Sequence, residues 1–266
     1  MKAPLMSTWP LDEAFKLELN LRYSEVDRHL KATPAALLAA LQEAAIMHSE
    51  EVGRGVEWLT KRYLSWMLVQ TRVAFLRWPA WRSRLEVITW PSEMGRMMSR
   101  REFVLCNGSR DPLLVGTTLW AFMDTSARKV CRLPPEISQA YEVSSTRALD
   151  RPFCRPEPCQ KAEWENQFAV GRRQIDFNGH VNNLCYLDWM LETMPTNLDE
   201  WILGELNIRY EKEIGFGDTV LTQSASLPPA AENTSCFAHQ IRSGDSAQSI
   251  ACADTKWLRY DGNERS

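Results

Sequence analysis

The stretch Ile175-Asp176-Phe177-Asn178-Gly179-His180-Val181-Asn182-Asn183, running straight into Leu184–Met194, decides the fold because the chain carries its plan twice. A polar loop gives way to an apolar run that Pro195 stops, so the spacing predicts a helix starting near Asn182-Asn183. The earlier copy is Val26-Asp27-Arg28-His29 followed by Thr33-Pro34, a threonine cap with proline at the first helical position, opening a helix to about His48. In that helix Leu37, Leu41, Ala44 and His48 share a face while Leu38, Ala45 and Ile46 lie elsewhere. It is apolar nearly all round and reads as buried on most sides.

Working outward, each loop and helix has a strand before it and a run of strands after it. Leu17, Leu19, Leu21 and Tyr23 alternate with Glu18, Asn20 and Arg22, the period of a half-buried strand. After the first helix come strand-like stretches at Met67–Trp78, Arg84–Trp90 and Arg100–Cys106, a turn at Asn107-Gly108, and a run from Leu113 to Met123. The second copy repeats this with Phe168–Arg172, then Glu205–Tyr210, Thr219–Ala225, Ser235–Ile241 and Ser249–Arg259. Asp27 corresponds to Asp176 at an offset of 149, and Phe75-Leu76-Arg77 to Ile208-Arg209-Tyr210 at an offset of 133. Extra chain around Glu50–Arg62 takes up the difference. One buried helix against a run of antiparallel strands, twice over, predicts an α+β architecture, a tandem (double) hot-dog fold with each long helix wrapped by a curved antiparallel sheet. Residues 1–141 form the first domain, 142–162 a linker carrying Pro152, Pro156 and Pro158, and 163–266 the second domain. Neither sheet covers its own edges, so the two halves are expected to pair as a pseudo-dimer within one chain, with a homodimer as a further option.

Composition narrows the class of function. The 266 residues are 44% apolar and 24% charged, which excludes disorder as the main state, and eleven Trp against twelve Gly point to a bulky apolar interior. No apolar run is long enough to span a bilayer, and Met1 to Pro10 holds neither a hydrophobic signal core nor an Arg/Ser-rich pattern. Seven scattered Cys with no CxxC pair read as reduced thiols, so a cytoplasmic location is expected. The net charge of −3 is uneven: residues 1–140 hold 19 Lys/Arg and 15 Asp/Glu, net +4, and residues 141–266 hold 12 and 19, net −7. Within Arg54–Arg101 ten basic residues face three acidic ones. Such an excess can steer an acidic partner or be a solvated surface. No helix-turn-helix or basic recognition helix appears, so nucleic acid is not an expected partner.

The polar cluster before the second helix is the site candidate. Asp176, Asn178 and His180 alternate, so a carboxylate, an amide and an imidazole can point the same way. His serves as general acid/base near neutral pH, Asp orients it or activates water, and Asn holds a developing oxyanion. The helix start behind them offers free N–H groups. Asn182 or Asn183 reads as a helix cap and Gly179 as a position with positive φ. Asp-x-Asn-x-His also fits a metal loop, but no further His/Cys spacing completes one, so no metal and no cofactor are expected. Asp27-Arg28-His29 lacks the Asn, so one half carries chemistry while the other shapes a pocket. His29, His48 and His239 read as core or surface residues.

The segment Ile175–Asn183, with Tyr186, Trp189, Leu191 and Glu192, resembles the active-site segment of the fatty acyl–acyl carrier protein thioesterases of plant plastids and their bacterial relatives. Leu41-Gln42-Glu43-Ala44-Ala45 with His48, Trp78-Pro79-Ala80-Trp81, Arg100-Arg101-Glu102-Phe103, Trp120 to Met123 and Arg132-Leu133-Pro134-Pro135-Glu136 follow in family order, from about Phe15 to Tyr260. The resemblance implies a double hot-dog hydrolase in fatty acid biosynthesis that cleaves acyl carrier protein thioesters without metal or organic cofactor. It carries the catalytic set onto Asp176, Asn178, His180 and Glu213, and it places the acyl chain in the first half. Candidates to line that pocket are Leu41, Ile46, Trp66, Leu68, Phe103 and Trp120. Plant members have Glu-Cys where this chain has Glu213-Ile214, so a Cys–His covalent mechanism is not available there. Direct attack by water and a covalent intermediate on a carboxylate or amide both stay open, as do an acyl-CoA thioesterase and a non-catalytic acyl-binding hot-dog protein.

Overall fold

The computed structural model describes residues 9–10, 12–195, 200–246 and 248–259. Of Met1 to Pro10, where no signal core is read, residues 1–8 lie outside the described residues, as does the end of the resemblance at Tyr260. The chain divides into two compact units, Met1–Pro152 and Phe153–Ser266.

In the first unit, β1 (Phe15–Asn20) leads through a one-turn 3-10 helix at Tyr23–Glu25 and a tight loop into α1 (Pro34–Glu51). Then follow α2 (Val56–Thr60), β2 (Leu64–Phe75), β3 (Arg84–Met94), β4 (Met98–Asn107), β5 (Pro112–Asp124), the short β6 (Lys129–Val130) and α3 (Pro135–Ser138). The strands pair antiparallel in the order β1-β3-β4-β5-β2, with β6 on β5. Thr33 caps α1 by accepting a hydrogen bond from the Ala36 amide, and Pro34 occupies the first helical position. Leu37, Leu38, Leu41, Ala44, Ala45 and His48 are buried on it. The helix lies tight on the sheet at Gly116, where a Cβ would meet Val73 Cγ1 at 2.8 Å and Leu41 Cδ1 at 3.6 Å. Only a residue without a side chain allows that approach.

The second unit repeats the plan: β7 (Trp164–Ala169), a 3-10 turn at Arg172–Gln174, α4 (Asn183–Glu192), β8 (Trp201–Tyr210), β9 (Thr219–Leu227), β10 (Thr234–Ser243) and β11 (Ser249–Arg259). Its order, β8-β11-β10-β9-β7, matches that of the first unit strand for strand, and every pair is antiparallel. Tyr186, Leu187, Trp189 and Met190 are the buried residues of α4. Each unit is therefore a hot-dog fold, a helix seated on one face of a five-stranded sheet.

Several expectations shift. The first helix runs three residues past His48, to Glu51, and the second stops at Glu192, two residues before Met194. The strand placed at Phe168–Arg172 is Trp164–Ala169, because the Gly171 amide bonds the Gln174 side chain and closes a 3-10 turn. The offset of 133 becomes 135: Leu76 and Arg77 both donate to the Leu113 carbonyl as Glu211 and Lys212 both donate to that of Ile250. A two-residue slip keeps every side chain on its face, so the alternation pattern could not detect it.

The linker is not a solvated tether. Ala148 and Leu149 are buried with Trp9, Ile88, Trp90, Val104, Cys106 and Val115 on the sheet face away from α1. Fully buried Glu102 anchors the linker there, accepting from Ser92, Arg100, Thr117, Arg147 and the Ala148 amide. Cys159 packs with Ala225 and Ala238 in the second unit.

Candidate functional site

Two chain segments of the second unit meet at the site: the loop from Gly171 to Asn182 and the exit of β8 from Tyr210 to Phe216. The loop is tied by its own backbone. Asp176 N donates to His180 O at 2.8 Å, Gly179 N to Asp176 O at 3.1 Å, and Asn182 N to Gln174 O at 2.8 Å. Asp176 Oδ1 accepts from the amides of Asn178 at 2.8 Å and His180 at 3.4 Å. This is the Asx turn that an aspartate at such a position forms. Gly179 has φ +79°, the left-handed region that favours glycine. Asn182 caps α4, accepting from the Leu184 amide at 3.0 Å.

The second segment is held against the loop and helix. Val181 N donates to Ile214 O at 2.9 Å, and the Tyr186 hydroxyl reaches Lys212 O at 3.5 Å. Glu213, between those two anchors, is thereby aimed at the loop, and its Oε2 stands 3.3 Å from His180 Nε2. Both side chains remain partly open to solvent. Asn178 is exposed, and its side-chain amide makes no hydrogen bond to the described residues.

The structure thus joins His180 to Glu213 directly, ties Asp176 Oδ1 to the loop backbone, and leaves the Asn178 amide free for a ligand. Ile214 is buried. The nearest thiol, Cys185, is pushed up to about 11 by burial and by Asp188, so it is protonated at neutral pH and a weak nucleophile. The arrangement can activate a water molecule, hold an oxyanion and protonate a leaving group. It offers no activated thiolate.

Of the pocket candidates, Leu41 and Phe103 are buried, while Ile46, Trp66, Leu68 and Trp120 are half-buried. Trp66 and Leu68 on β2 pair with Phe122 and Trp120 on β5. Trp120 shares its strand face with Gly116 by alternation, and that face meets α1. Ile46 lies about 140° around α1 from Leu41 and belongs to another side of the helix.

The same interior holds a polar group that the sequence reading passed over. Arg101 is buried; its guanidinium contacts His48 Nδ1 at 2.9 Å and Thr89 Oγ1 at 3.2 Å, with no carboxylate partner among the described residues. Burial pulls Arg101 down to about 10 and, together with Arg101, holds His48 at about 3, neutral across the physiological range. No signal in the Arg100-Arg101-Glu102 spacing distinguishes a buried guanidinium from an exposed one. Arg100 is likewise held to Glu102, so neither belongs to the exposed basic surface counted over Arg54–Arg101. That surface reduces to Lys61, Arg62, Arg77, Arg82, Arg84 and Arg96, with Arg54 and Arg72 half-buried.

Comparison with known proteins gives one family. Residues 12–141 match the family model of the acyl-ACP thioesterase N-terminal domain, and residues 158–259 that of the C-terminal domain. An acyl-[acyl-carrier-protein] hydrolase of Cuphea viscosissima, FATB3, is 27% identical over 92% of this chain. An Arabidopsis thaliana oleoyl-acyl carrier protein thioesterase is 25% identical, also over 92%. The chain spans 62% of the length of the former and 77% of the latter, and both are named chloroplastic. Among solved structures, a 12:0-ACP thioesterase from Umbellularia californica superposes with a TM-score of 0.81 at 23% identity, covering 92% of this chain and 94% of that one. An acyl-ACP thioesterase from Bacteroides thetaiotaomicron gives 0.79 at 19% identity, covering 91% and 96%. These two share the fold.

Proposed function

Since both of its halves match the family's models, the chain belongs to the acyl-ACP thioesterase family, and we propose that it hydrolyses the thioester joining a fatty acyl chain to acyl carrier protein, releasing free fatty acid. The observation that carries this reading is the 3.3 Å approach of His180 to Glu213 beside the unpartnered Asn178 amide.

In this mechanism Glu213 takes a proton from water, and the hydroxide adds to the thioester carbonyl. The Asn178 amide donates to the resulting oxyanion. On collapse, the carbon–sulfur bond breaks and the proton taken up by Glu213 passes through His180 to the departing thiolate, so water and thioester become acid and thiol and both side chains return to their starting state. Asp176 keeps the loop in register, and with it the placement of Asn178 and His180. Burial of Ile214 and the raised pKa of Cys185 favour water over a cysteine nucleophile. The acyl chain is assigned to the α1-facing side of the first unit, where Leu41, Trp66, Leu68, Phe103 and Trp120 lie. The exposed basic residues between Arg54 and Arg96 are assigned to steering the acidic carrier. Seven free cysteines fit a reducing compartment, and we place the enzyme in the cytoplasm. Among the described residues no helix is long and apolar enough to cross a membrane.

The test is free-acid release from acyl carrier protein thioesters of graded chain length, with matched acyl-CoA as the second arm. Asp176→Ala and Glu213→Ala are each expected to lower turnover by about 100-fold or more. Near-native turnover in both variants would overturn the assignment.

A further inference from the structure

An exposed cationic and aromatic lip borders the site. The Arg172 guanidinium lies 4.3 Å over the Phe216 ring, and both residues are solvent-facing, Phe216 at 54%. Phe177, inside the Asp176–His180 loop, is 75% exposed, and Arg173 is exposed beside Arg172. These four residues lie on the same two segments that carry Asn178, His180 and Glu213. The Gln174 carbonyl next to the arginines accepts from Asn182, while Val170 accepts from the Gly217 amide next to Phe216. Neither arginine has an ion-pair partner among the described residues, although this half of the chain is net acidic.

The first unit serves as an internal control. Its Ala32 amide donates to Pro79 O as Val181 does to Ile214 O, so Trp81 stands where Phe216 stands. Tyr23, which takes the place of Arg172, meets Trp81 edge-on at 5.5 Å, and Ser24 takes the place of Arg173. An aromatic at this corner accompanies the fold in both halves. Arg82 also lies over Trp81, at 4.5 Å, so a guanidinium on this ring accompanies both halves; the adjacent pair on the 3-10 turn, Arg172-Arg173 in place of Tyr23-Ser24, occurs only in the second.

A guanidinium backed by an aromatic ring keeps its outer edge free for a planar, two-point hold on a phosphate oxygen pair, and exposed phenylalanine faces suit an apolar stem. Building on the carrier-protein reading, we propose that Arg172 and Arg173, with Phe216 and Phe177, bind the phosphopantetheine arm of the carrier. The arginines hold its phosphodiester and the rings its pantetheine stem, which fixes the thioester against Asn178 and His180. The phosphorylated stem is shared with CoA; the commitment is to the arm as borne by the carrier protein.

The test uses the full chain and one acyl group on four supports: acyl carrier protein, CoA, 4′-phosphopantetheine and unphosphorylated pantetheine. Wild type is expected to prefer acyl-phosphopantetheine over acyl-pantetheine by about tenfold in kcat/KM, the scale of one charge-assisted hydrogen bond. The Arg172→Ala/Arg173→Ala double variant is expected to bring that ratio near one through KM. It should leave kcat and the acyl-pantetheine rate unchanged, lose about tenfold on the carrier thioester, and lose less on CoA. Arg172→Lys/Arg173→Lys is expected to restore part of the preference, and Phe216→Ala to raise KM on both pantetheine forms. Release without a phosphate preference in wild type, or equal loss on both pantetheine forms in the double variant, overturns the lip and leaves the thioesterase reading standing. A larger loss on CoA than on the carrier thioester overturns the commitment to the carrier. No release from any support overturns both readings.

Discussion

The loops before α1 and α4 have one backbone and two sets of side chains. Asp27 Oδ1 accepts from the amides of His29 and Lys31 as Asp176 Oδ1 accepts from those of Asn178 and His180. Asp27 N reaches Lys31 O at 2.7 Å, the counterpart of the 2.8 Å bond from Asp176 to His180. Leu30, at φ +57°, holds the place of Gly179, and Thr33 that of Asn182. What differs is the cargo: His29 for Asn178, Lys31 for His180, and Trp78 for Glu213, with the Trp78 ring stacked on Phe75 at 5.0 Å. The loop is therefore a device for starting a helix, and the two copies of it present different side chains. In the proposed mechanism the aspartate common to both copies belongs to the device, and the residues that differ would carry the chemistry.

Truncating equivalent positions tests this division most directly. His180→Ala is expected to lower turnover by about 100-fold or more, and Lys31→Ala by less than about twofold, in a free-acid release assay with circular dichroism as the folding control. Comparable losses would mean that the first loop also reaches the reaction.

A smaller effect compares the two interiors. Each unit buries a neutral histidine: His48 against Arg101, and His239 between Ser224 Oγ and Thr255 Oγ1, both at 2.9 Å. Burial, joined at His48 by the Arg101 charge, holds each at about 3 in place of 6.5. Folding therefore depresses the affinity for a proton that the unfolded chain takes up below pH 6.5. Stability is complete above that pH and falls as pH drops from about 6.5 toward about 3, by on the order of 1 kcal/mol per pH unit for each imidazole. Urea titrations at pH 7 and pH 5 measure the slope. His239→Gln, although less stable overall, is expected to flatten it by one imidazole's share. An unchanged slope would show that His239 titrates normally.

How much of this was legible in the chain follows from what each signal depends on. Local chemistry was: Thr33-Pro34 and the Asn182-Asn183 pair announce caps, Gly179 a positive φ, and alternation the strands. The repeat could be read because both copies use the same signals. Glu213 could not be found by spacing, since its approach to His180 depends on how β8 exits toward the loop; only the family resemblance pointed to it. Arg101 and Glu102 are adjacent charges that look solvated, yet strand alternation sends them to opposite faces, where cross-strand partners bury both. The linker's Ala148 and Leu149 were hidden by their polar neighbours for the same reason, because the face they cover is built from distant strands.

The finest test of the shared backbone lies at its one left-handed position. Leu30 adopts φ +57° with a branched side chain that is 45% exposed, whereas Gly179 adopts φ +79° with none. A non-glycine residue held there costs about 1 kcal/mol of backbone strain, while glycine loosens the unfolded chain by a somewhat smaller amount. The two terms oppose each other at both sites. Leu30→Gly is expected to be neutral to slightly stabilising, by a few tenths of a kcal/mol, and Gly179→Ala slightly destabilising, by about 0.5–1 kcal/mol. Because Gly179 sits between Asn178 and His180, its substitution is also expected to reduce turnover several-fold, whereas Leu30→Gly leaves turnover unchanged. Chemical denaturation and free-acid release on the same two variants decide it. If Gly179→Ala moved stability without moving turnover, the loop's exact shape would matter to starting the helix and not to aiming the amide and imidazole on either side of it.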